Sequence, residues 1–551
     1  MSTETISPVE AKLDESPATV ISAEGHIAVA QLQVWLAGKE ELAFFDVRDE
    51  VPYAQGHILH ATHLPWARLE LLARTLVPRL ETRIVLTDAG EGLAERAART
   101  LFTAGYTQVF LLAGGNRAWI DSGQSLVTGR NVLSIGFAEV VEHQLHTPNI
   151  SVQELKQRLD RGDDVVVLDI RPREEYENFR IPGAINAPGV EPVHRLDALG
   201  IGPQTLVVTH CAGRTRSIFS TQTLVNAGVT NPVASLTGGT MEWLIAGYEL
   251  DSGPAGSAPL PDAGQLQRLR ERSAALAQQQ GIRSIDTQTL ERFETDTSRT
   301  LFRFDVRTPE EYVQGHWPGF RSAAGGQLAN GLERFAGVRG ARIVLHDPDG
   351  VRDVLTASWL QQFGSEVYVL RAERPTTLEV GGEPHRVIGL LDAPWVQADA
   401  LYHWLGEGRV RLLDVEGANA YRKGHIPGAE YAERFALPTR LGEAGETVVI
   451  TSADGVLAQV VASSLARETG KAIHALLGGN RAWRTQGLAT ETGRLEPEAG
   501  SELPDKYALP PEKRDAQFRQ YLKWELSLVK TLGADPHLHF DIRSGLQGGT
   551  A

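Results

Sequence analysis

Short apolar runs rich in β-branched residues alternate along this chain with longer stretches of helical periodicity. Val165-Val166-Val167-Leu168 and Val207-Val208-Thr209 are runs of this kind. They are near-continuous, which suits strands buried on both faces. The helical stretches end at glycine, the residue expected just beyond a helix C-terminus. Strand and helix in strict alternation predict an α/β fold, a mostly parallel sheet with helices on both faces.

The pattern occurs four times. Phe44-Phe45-Asp46-Val47-Arg48, Val167-Leu168-Asp169-Ile170-Arg171, Arg303-Phe304-Asp305-Val306-Arg307 and Leu412-Leu413-Asp414-Val415-Glu416 open the repeats. Eleven residues after each Asp stand His57, Arg180, His316 and His425, the last three followed by Ile/Trp-Pro-Gly. Counting on 42 residues reaches Asp88, Cys211 and Asp347, and 38 reaches Ser452 in the fourth repeat. Each is followed 17 or 18 residues later by a helix-stop glycine, at Gly105, Gly228, Gly364 and Gly470. A Gly-Gly pair with a later Trp follows at Gly114-Gly115, Gly238-Gly239 and Gly478-Gly479; the third repeat has Arg371-Ala372 instead. Self-similarity of this order predicts tandem domains: residues 21–128, 146–251, 283–380 and 390–493, after a disordered stretch 1–20.

Between the second and third repeats, 252–282 reads as a Gly/Pro/Ser-rich flexible linker running into a helix over Gln265–Gln280. The tail, 494–551, places Phe518, Tyr521, Leu522, Leu526, Val529 and Leu532 at helical spacing. An amphipathic helix docked on the fourth domain is the expectation. His537 and His539 lack a third ligand and predict no metal site.

Composition narrows the setting. A net charge of -15 argues against a general nucleic-acid or acidic-membrane surface. One cysteine in 551 residues makes no internal disulfide, which fits a reducing compartment. Met1–Ala18 has neither a basic n-region nor an apolar h-region, and no run nears the ~18 apolar residues of a membrane span. A cytoplasmic protein is the expectation.

That one cysteine opens the loop Cys211-Ala212-Gly213-Arg214-Thr215-Arg216-Ser217, between a strand and a helix. Attack on sulfur needs the thiolate, and a free thiol with a pKa near ~8.5 is mostly protonated at neutral pH. Loop amides and the helix dipole, the charges of Arg214 and Arg216, and a Ser217 hydroxyl donating to sulfur would all favour the ionised form. The same amides form a nest for a small anion, curved at Gly213, and guanidinium groups bind oxyanions bidentately. A core cysteine would need no such company. The reading requires a sulfur that a small anion can reach and a guanidinium head that faces it. Asp169, recurring in all four repeats, is read as structural, accepting loop N–H bonds or pairing an arginine; Arg171 supports it. Arg180 either faces the anion or makes a surface ion pair, and His210 is left open as a tuner of the thiolate.

Asp-x-Arg, Gly-His-Ile-Pro-Gly-Ala, the cysteine loop and Gly-Gly-x-x-x-Trp recur together and in order, and on them the chain resembles the rhodanese superfamily of sulfurtransferases from about Ile21 to Gly493. The resemblance implies four tandem rhodanese-like domains, with catalytic Cys211 opening a six-residue loop, Cys211 to Arg216, that binds the substrate anion. Many family loops place glycine fourth; here Gly213 is third and Arg214 fourth. Tandem pairs in the family often join an inactive domain to an active one, as Asp88 and Cys211 suggest for the first pair; Asp347 and Ser452 leave the second pair without a thiol. The implied activity moves sulfane sulfur from thiosulfate, or a similar small anionic donor, to cyanide or a thiol through a Cys211 persulfide, without cofactor or metal. The 3-mercaptopyruvate enzymes of the family have a less arginine-rich loop. Two rivals stand beside this. Cysteine phosphatases and arsenate reductases use a Cys/Arg loop, but tyrosine phosphatases carry arginine six residues after cysteine, where Ser217 stands here. A persulfide carrier or sensor working through protein partners would give the three thiol-free domains a docking or homodimer surface.

Overall fold

A computed structural model describes residues 25–373, 375–389, 391–441, 447–493, 502–503 and 505–546. The stretch 1–20 lies outside them, as do residues 494–501 of the tail. Four five-stranded sheets are present, each in the spatial order first, fifth, fourth, second, third, with every pairing parallel. In the second domain the strands are β1 (Asn149–Ile150), β2 (Val165–Asp169), β3 (Ile185–Asn186), β4 (Leu206–His210) and β5 (Val233–Leu236). Register explains the repeated motif: Asp169 closes β2 opposite His210 of β4 and Asn186 of β3. The Asp-x-Arg turn and the Cys211 loop therefore leave the same carboxyl edge, where sites of parallel sheets form. The helix-stop glycines Gly105, Gly228, Gly364 and Gly470 all have φ between 68° and 99°, the left-handed geometry that ends a helix.

The chain divides into two compact units, and these do not follow chain order. One holds the first and fourth domains, the other the second and third with the tail from Lys506. The sequential pairing suggested by the resemblance is therefore not how the domains are grouped. In the first unit Arg434 of the fourth domain grips Glu70 of the first with both terminal nitrogens, at 2.6 and 2.7 Å. In the second unit the turn after the third strand of the second domain meets, backbone to backbone, the short helix Gly325–Ala329 of the third: a Cβ on Gly189 would lie 2.4 Å from the Cα of Gly326.

Helix α1 (Val132–Leu145) precedes the second domain. Helices α2 (Thr215–Asn226) and α3 (Gly239–Ile245) follow the cysteine loop and the Gly-Gly turn, and α4 (Pro511–Gly533) belongs to the tail. Phe137 of α1 lies in ring contact with Phe219, Trp359, Phe363 and Phe540, so second domain, third domain and chain end share one aromatic cluster.

Two expectations are corrected here. The tail helix packs on α1 and α3 of the second domain rather than on the fourth. Its buried face is the expected one at Phe518 and Leu532 but departs at one position: Glu525 is 1% exposed while Leu526 is 54% exposed. A carboxyl displaces the apolar position because it has a hydroxyl to accept from in the cysteine loop. The 252–282 segment is not a free linker at its start. Asp251 bridges Arg180, Ser257 bridges Asn186, and Ala258 is buried, accepting from Arg195. The helix over Ala263–Gln280 begins with an Asp262/Gln265 capping box.

The Gly189–Gly326 contact makes a prediction. Gly189 has φ +62°, so Gly189→Ala adds left-handed strain to a collision with backbone that has no side chain to move aside. The substitution should cost about 1–3 kcal/mol, read as a lower urea midpoint with an unchanged fold by circular dichroism.

Candidate active site around Cys211

The cysteine loop is held from below by the Gly-Gly turn. Thr240 donates its N–H to Cys211 O at 2.9 Å and Met241 donates to Ala212 O at 3.0 Å. Those bonds need the turn to lie against the loop backbone. A Cβ on Gly239, at φ +53°, would stand 2.3 Å from Cys211 O. The same approach recurs at Gly115 on Asp88 O and Gly479 on Ser452 O, at 2.4 and 2.1 Å. The repeated glycines are thus supports for the loop.

What the loop does is visible in the repeats without a thiol. Asp88 accepts from the amides of Gly90, Leu93 and Ala94. Asp347 accepts from Asp349, Val351 and Arg352, and Ser452 from Ala458. Burial works against the Asp347 charge, yet Arg352, through its charge, side chain and amide, holds its carboxyl well below the usual carboxylate range. In the three thiol-free repeats the loop and the start of the helix therefore aim amides at one point and find a side-chain oxygen there. In the second domain the residue at that point is Cys211. The corresponding amides belong to Gly213, Thr215, Arg216 and Ser217.

Cys211 is 2% exposed, so the solvent-open sulfur that the sequence reading requires is not found: the loop and the residues packed on it bury the thiol. Its Sγ lies 3.8 Å from Ser217 Oγ, and the Ser217 hydroxyl donates to Arg214 O at 2.7 Å. Serine thus receives from the thiol rather than giving to it, contrary to the sequence expectation. Gly213 is absent from the left-handed region, so curvature is not its purpose. A Cβ there would stand 3.1 Å from Glu525 Oε2 and 3.3 Å from a Tyr521 ring carbon, and glycine makes room for the tail helix.

The two loop arginines differ. Arg214 turns to α1, bonding Glu139 at 3.1 Å and also Glu142. Arg216 takes Glu175 bidentately at 2.8 and 2.9 Å. Burial opposes the Arg216 charge, but Glu175, Cys211 and Asp169 together hold its pKa above the usual arginine value. Arg216 therefore remains within the field of the sulfur, whereas Arg214 is neutralised away from it. The pair recurs in the third domain, where Arg352 binds Glu311.

Beneath the loop, Asp169 accepts from the Arg171 amide and guanidinium at 3.0, 2.9 and 2.6 Å. Burial works against the Asp169 charge, but the charge, side-chain bonds and amide of Arg171 keep its pKa low, with His210 adding to this only when protonated. Arg171 Nη1 is buried with no hydrogen-bond partner among the described residues. His210 has Nδ1 3.4 Å from Cys211 O and Nε2 3.5 Å from Asp169, and burial lowers its pKa, so the ring is neutral at physiological pH. Arg180 donates to Gly253 O at 2.6 Å and lies over the Tyr176 ring. It takes the place of His57, His316 and His425, which stack on Tyr53, Tyr312 and Tyr421. Its guanidinium is thus spent on backbone carbonyls and a tyrosine ring, and among the described residues it makes no ion pair.

The tail completes the site. Thr215 Oγ1 donates to Glu525 Oε1 at 3.1 Å. The Tyr507 hydroxyl lies 2.9 Å from Thr240 Oγ1, and its ring lies tilted against Phe179 with centroids 4.4 Å apart. Burial, with Cys211 adding to it, pushes Tyr507 up to about 12, while Thr240, Arg171 and Arg216 pull the other way.

With this geometry in place, the Rhodanese-like domain family model matches residues 28–122, 151–246, 288–372 and 397–486. The chain belongs to the rhodanese-like family. A solved structure described as thiosulfate sulfurtransferase from Pseudomonas aeruginosa is similar over 94% of this chain and 99% of that one, at 39% identity and a TM-score of 0.88. Thiosulfate sulfurtransferase of P. aeruginosa PAO1 is 30% identical over 222 residues, covering 33% of this chain and 81% of the relative. The protein of the same name from Azotobacter vinelandii is 28% identical over 230 residues, 35% of this chain and 83% of that protein. This rhodanese is a sulfurtransferase by family, with four tandem domains and a thiol in one.

Sequence reasoning did not find Glu139, Glu142, Glu175, Thr240, Tyr507, Tyr521 or Glu525. The apolar run of α1 and the buried face of α4 carry no motif. Only the third-place glycine hinted that something presses on the loop.

Glu525 gives the site a pH signature. Burial first, and then the Glu139 carboxylate, push it up to about 8, against the pull of Tyr521, Thr215 and Arg214. A carboxyl whose folded pKa is raised contributes stability that is complete below its ordinary value of 4.5 and lost as pH rises through 8. The wild-type melting temperature should fall across that window by several degrees more than that of Glu525→Gln, followed by thermal circular dichroism.

Proposed function

We propose that this rhodanese moves sulfane sulfur from thiosulfate to a small nucleophile through a Cys211 persulfide. One observation carries the reading. Cys211 occupies the point where Asp88, Asp347 and Ser452 accept loop amides in the other domains, so a nucleophile sits where the fold already favours negative charge. The thiolate attacks the outer sulfur of thiosulfate. The S–S bond of the donor breaks, sulfite leaves with the bonding pair, and the enzyme keeps a cysteine persulfide. Cyanide or a thiol then attacks the terminal sulfur and restores the thiolate, a double displacement with ping-pong kinetics. Arg216 and the unpartnered Arg171 Nη1 are the cations for the donor's oxygens. The names of the relatives support thiosulfate as donor.

The measurement is thiosulfate:cyanide transfer, joined to intact-protein mass spectrometry after thiosulfate alone. Wild type should gain one sulfur atom, and Cys211→Ala should gain none and fall to the uncatalysed rate; undiminished transfer in Cys211→Ala ends the proposal. The two arginines should separate. Arg216→Ala loses a charge-assisted contact of about 1.5–3 kcal/mol, so kcat/KM for thiosulfate should drop roughly 10- to 100-fold. Arg214→Ala, whose partners lie on α1, should lose much less.

A further inference from the structure

The sulfur lies under a cover that the rhodanese fold does not itself supply. Gly213 meets Tyr521 and Glu525 so closely that even a Cβ would touch them. The Tyr507 hydroxyl is joined to Thr240, whose amide holds Cys211 O. Lys506 Nζ sits 3.9 Å over the Tyr521 ring, tying both ends of this cover together. The cover is anchored as part of the core. Phe518, Leu528 and Leu532 are buried, and a Cβ on Gly136 of α1 would lie 2.3 Å from Leu532 Cδ1. On the other side Leu522 reaches within 3.4 Å of the Cβ position of Gly238. Swinging α4 aside would undo these contacts, so it acts as a fixed wall.

We propose that Tyr521, carried by this wall, is a specificity-determining residue that restricts the acceptor to nucleophiles of a few heavy atoms, such as cyanide or sulfite, and turns away bulky thiols and protein cysteines. The inference rests on the sulfur-transfer reading above. A persulfide on Cys211 remains inside the wall, because the thiol that bears it is 2% exposed. A large acceptor can approach only by displacing the Tyr521 ring, and its rate is penalised while that of a small one is not.

The single cysteine makes the wall directly measurable, since any alkylation of the full chain reports Cys211. Rates with iodoacetamide and with fluorescein maleimide are compared in wild type, Tyr521→Ala and Tyr521→Phe. Persulfide discharge by cyanide and by glutathione is followed in parallel. In Tyr521→Ala both ratios, bulky to small, should rise by about tenfold or more, and Tyr521→Phe should keep both near wild type. Ratios in Tyr521→Ala within about twofold of wild type overturn the proposal. So does a changed alkylation ratio with an unchanged acceptor ratio, because the wall would then shield without selecting. Should Tyr521→Ala fail to fold, Tyr521→Leu keeps an apolar filler of smaller reach and is judged by the same ratios. A wild type that takes no sulfur from thiosulfate would sink the underlying transfer reading, while the alkylation ratios still decide whether the wall exists.

Discussion

Amides at the start of a helix have no partner within it. In this protein those amides, backed by a Gly-Gly turn in three of the four repeats, are directed at the residue that ends the fourth strand. Asp88, Asp347 and Ser452 accept them with oxygen, and in the second domain that position is held by Cys211. Three domains thus spend the cradle on holding themselves together, and one leaves it to chemistry. The close approach of Gly239 to Cys211 O makes the arrangement rigid, because backbone cannot rotate out of the way as a side chain would.

Positive charge around the sulfur is parcelled out by carboxylates from different elements. Glu175, from the helix after the Asp-x-Arg turn, orients Arg216 near the thiol. Glu139 and Glu142 draw Arg214 to α1, and Asp169 fixes Arg171 beneath the loop. A bidentate pair holds a guanidinium in one orientation and leaves its charge in place. The site therefore keeps directed cations, Arg171 buried and Arg214 and Arg216 half-buried, and Glu525 stays protonated beside them near neutral pH.

The sheet, the four repeats and the thiol were legible because each rests on local rules. Apolar runs, helix-stop glycines and the Asp-x-Arg spacing read directly onto strands, C-termini and a turn that share one edge of the sheet. The site was legible only as far as the loop itself. Arg214 and Arg216 look alike in sequence, and their fates are set by Glu139 and Glu175, which no spacing connects to them. The tail helix shows the same limit. Its periodicity was plain, but the face it buries is decided by Thr215, so Glu525 goes inside and Leu526 outside. The grouping of second with third domain, which turns on Gly189 and Gly326, is equally long-range.

That long reach has a consequence in time. Thr215 and Glu525 are 310 residues apart in the chain. At a synthesis rate of about 5–20 residues per second, the thiol would leave the ribosome roughly 15–60 s before its tyrosine and glutamate neighbours exist. During that interval the second domain lacks the tail residues Glu525 and Tyr521 that pack against Gly213 of its cysteine loop. The thiol therefore meets its surroundings first with only its own domain around it, and oxidant stress during translation would find it before the tail helix is in place.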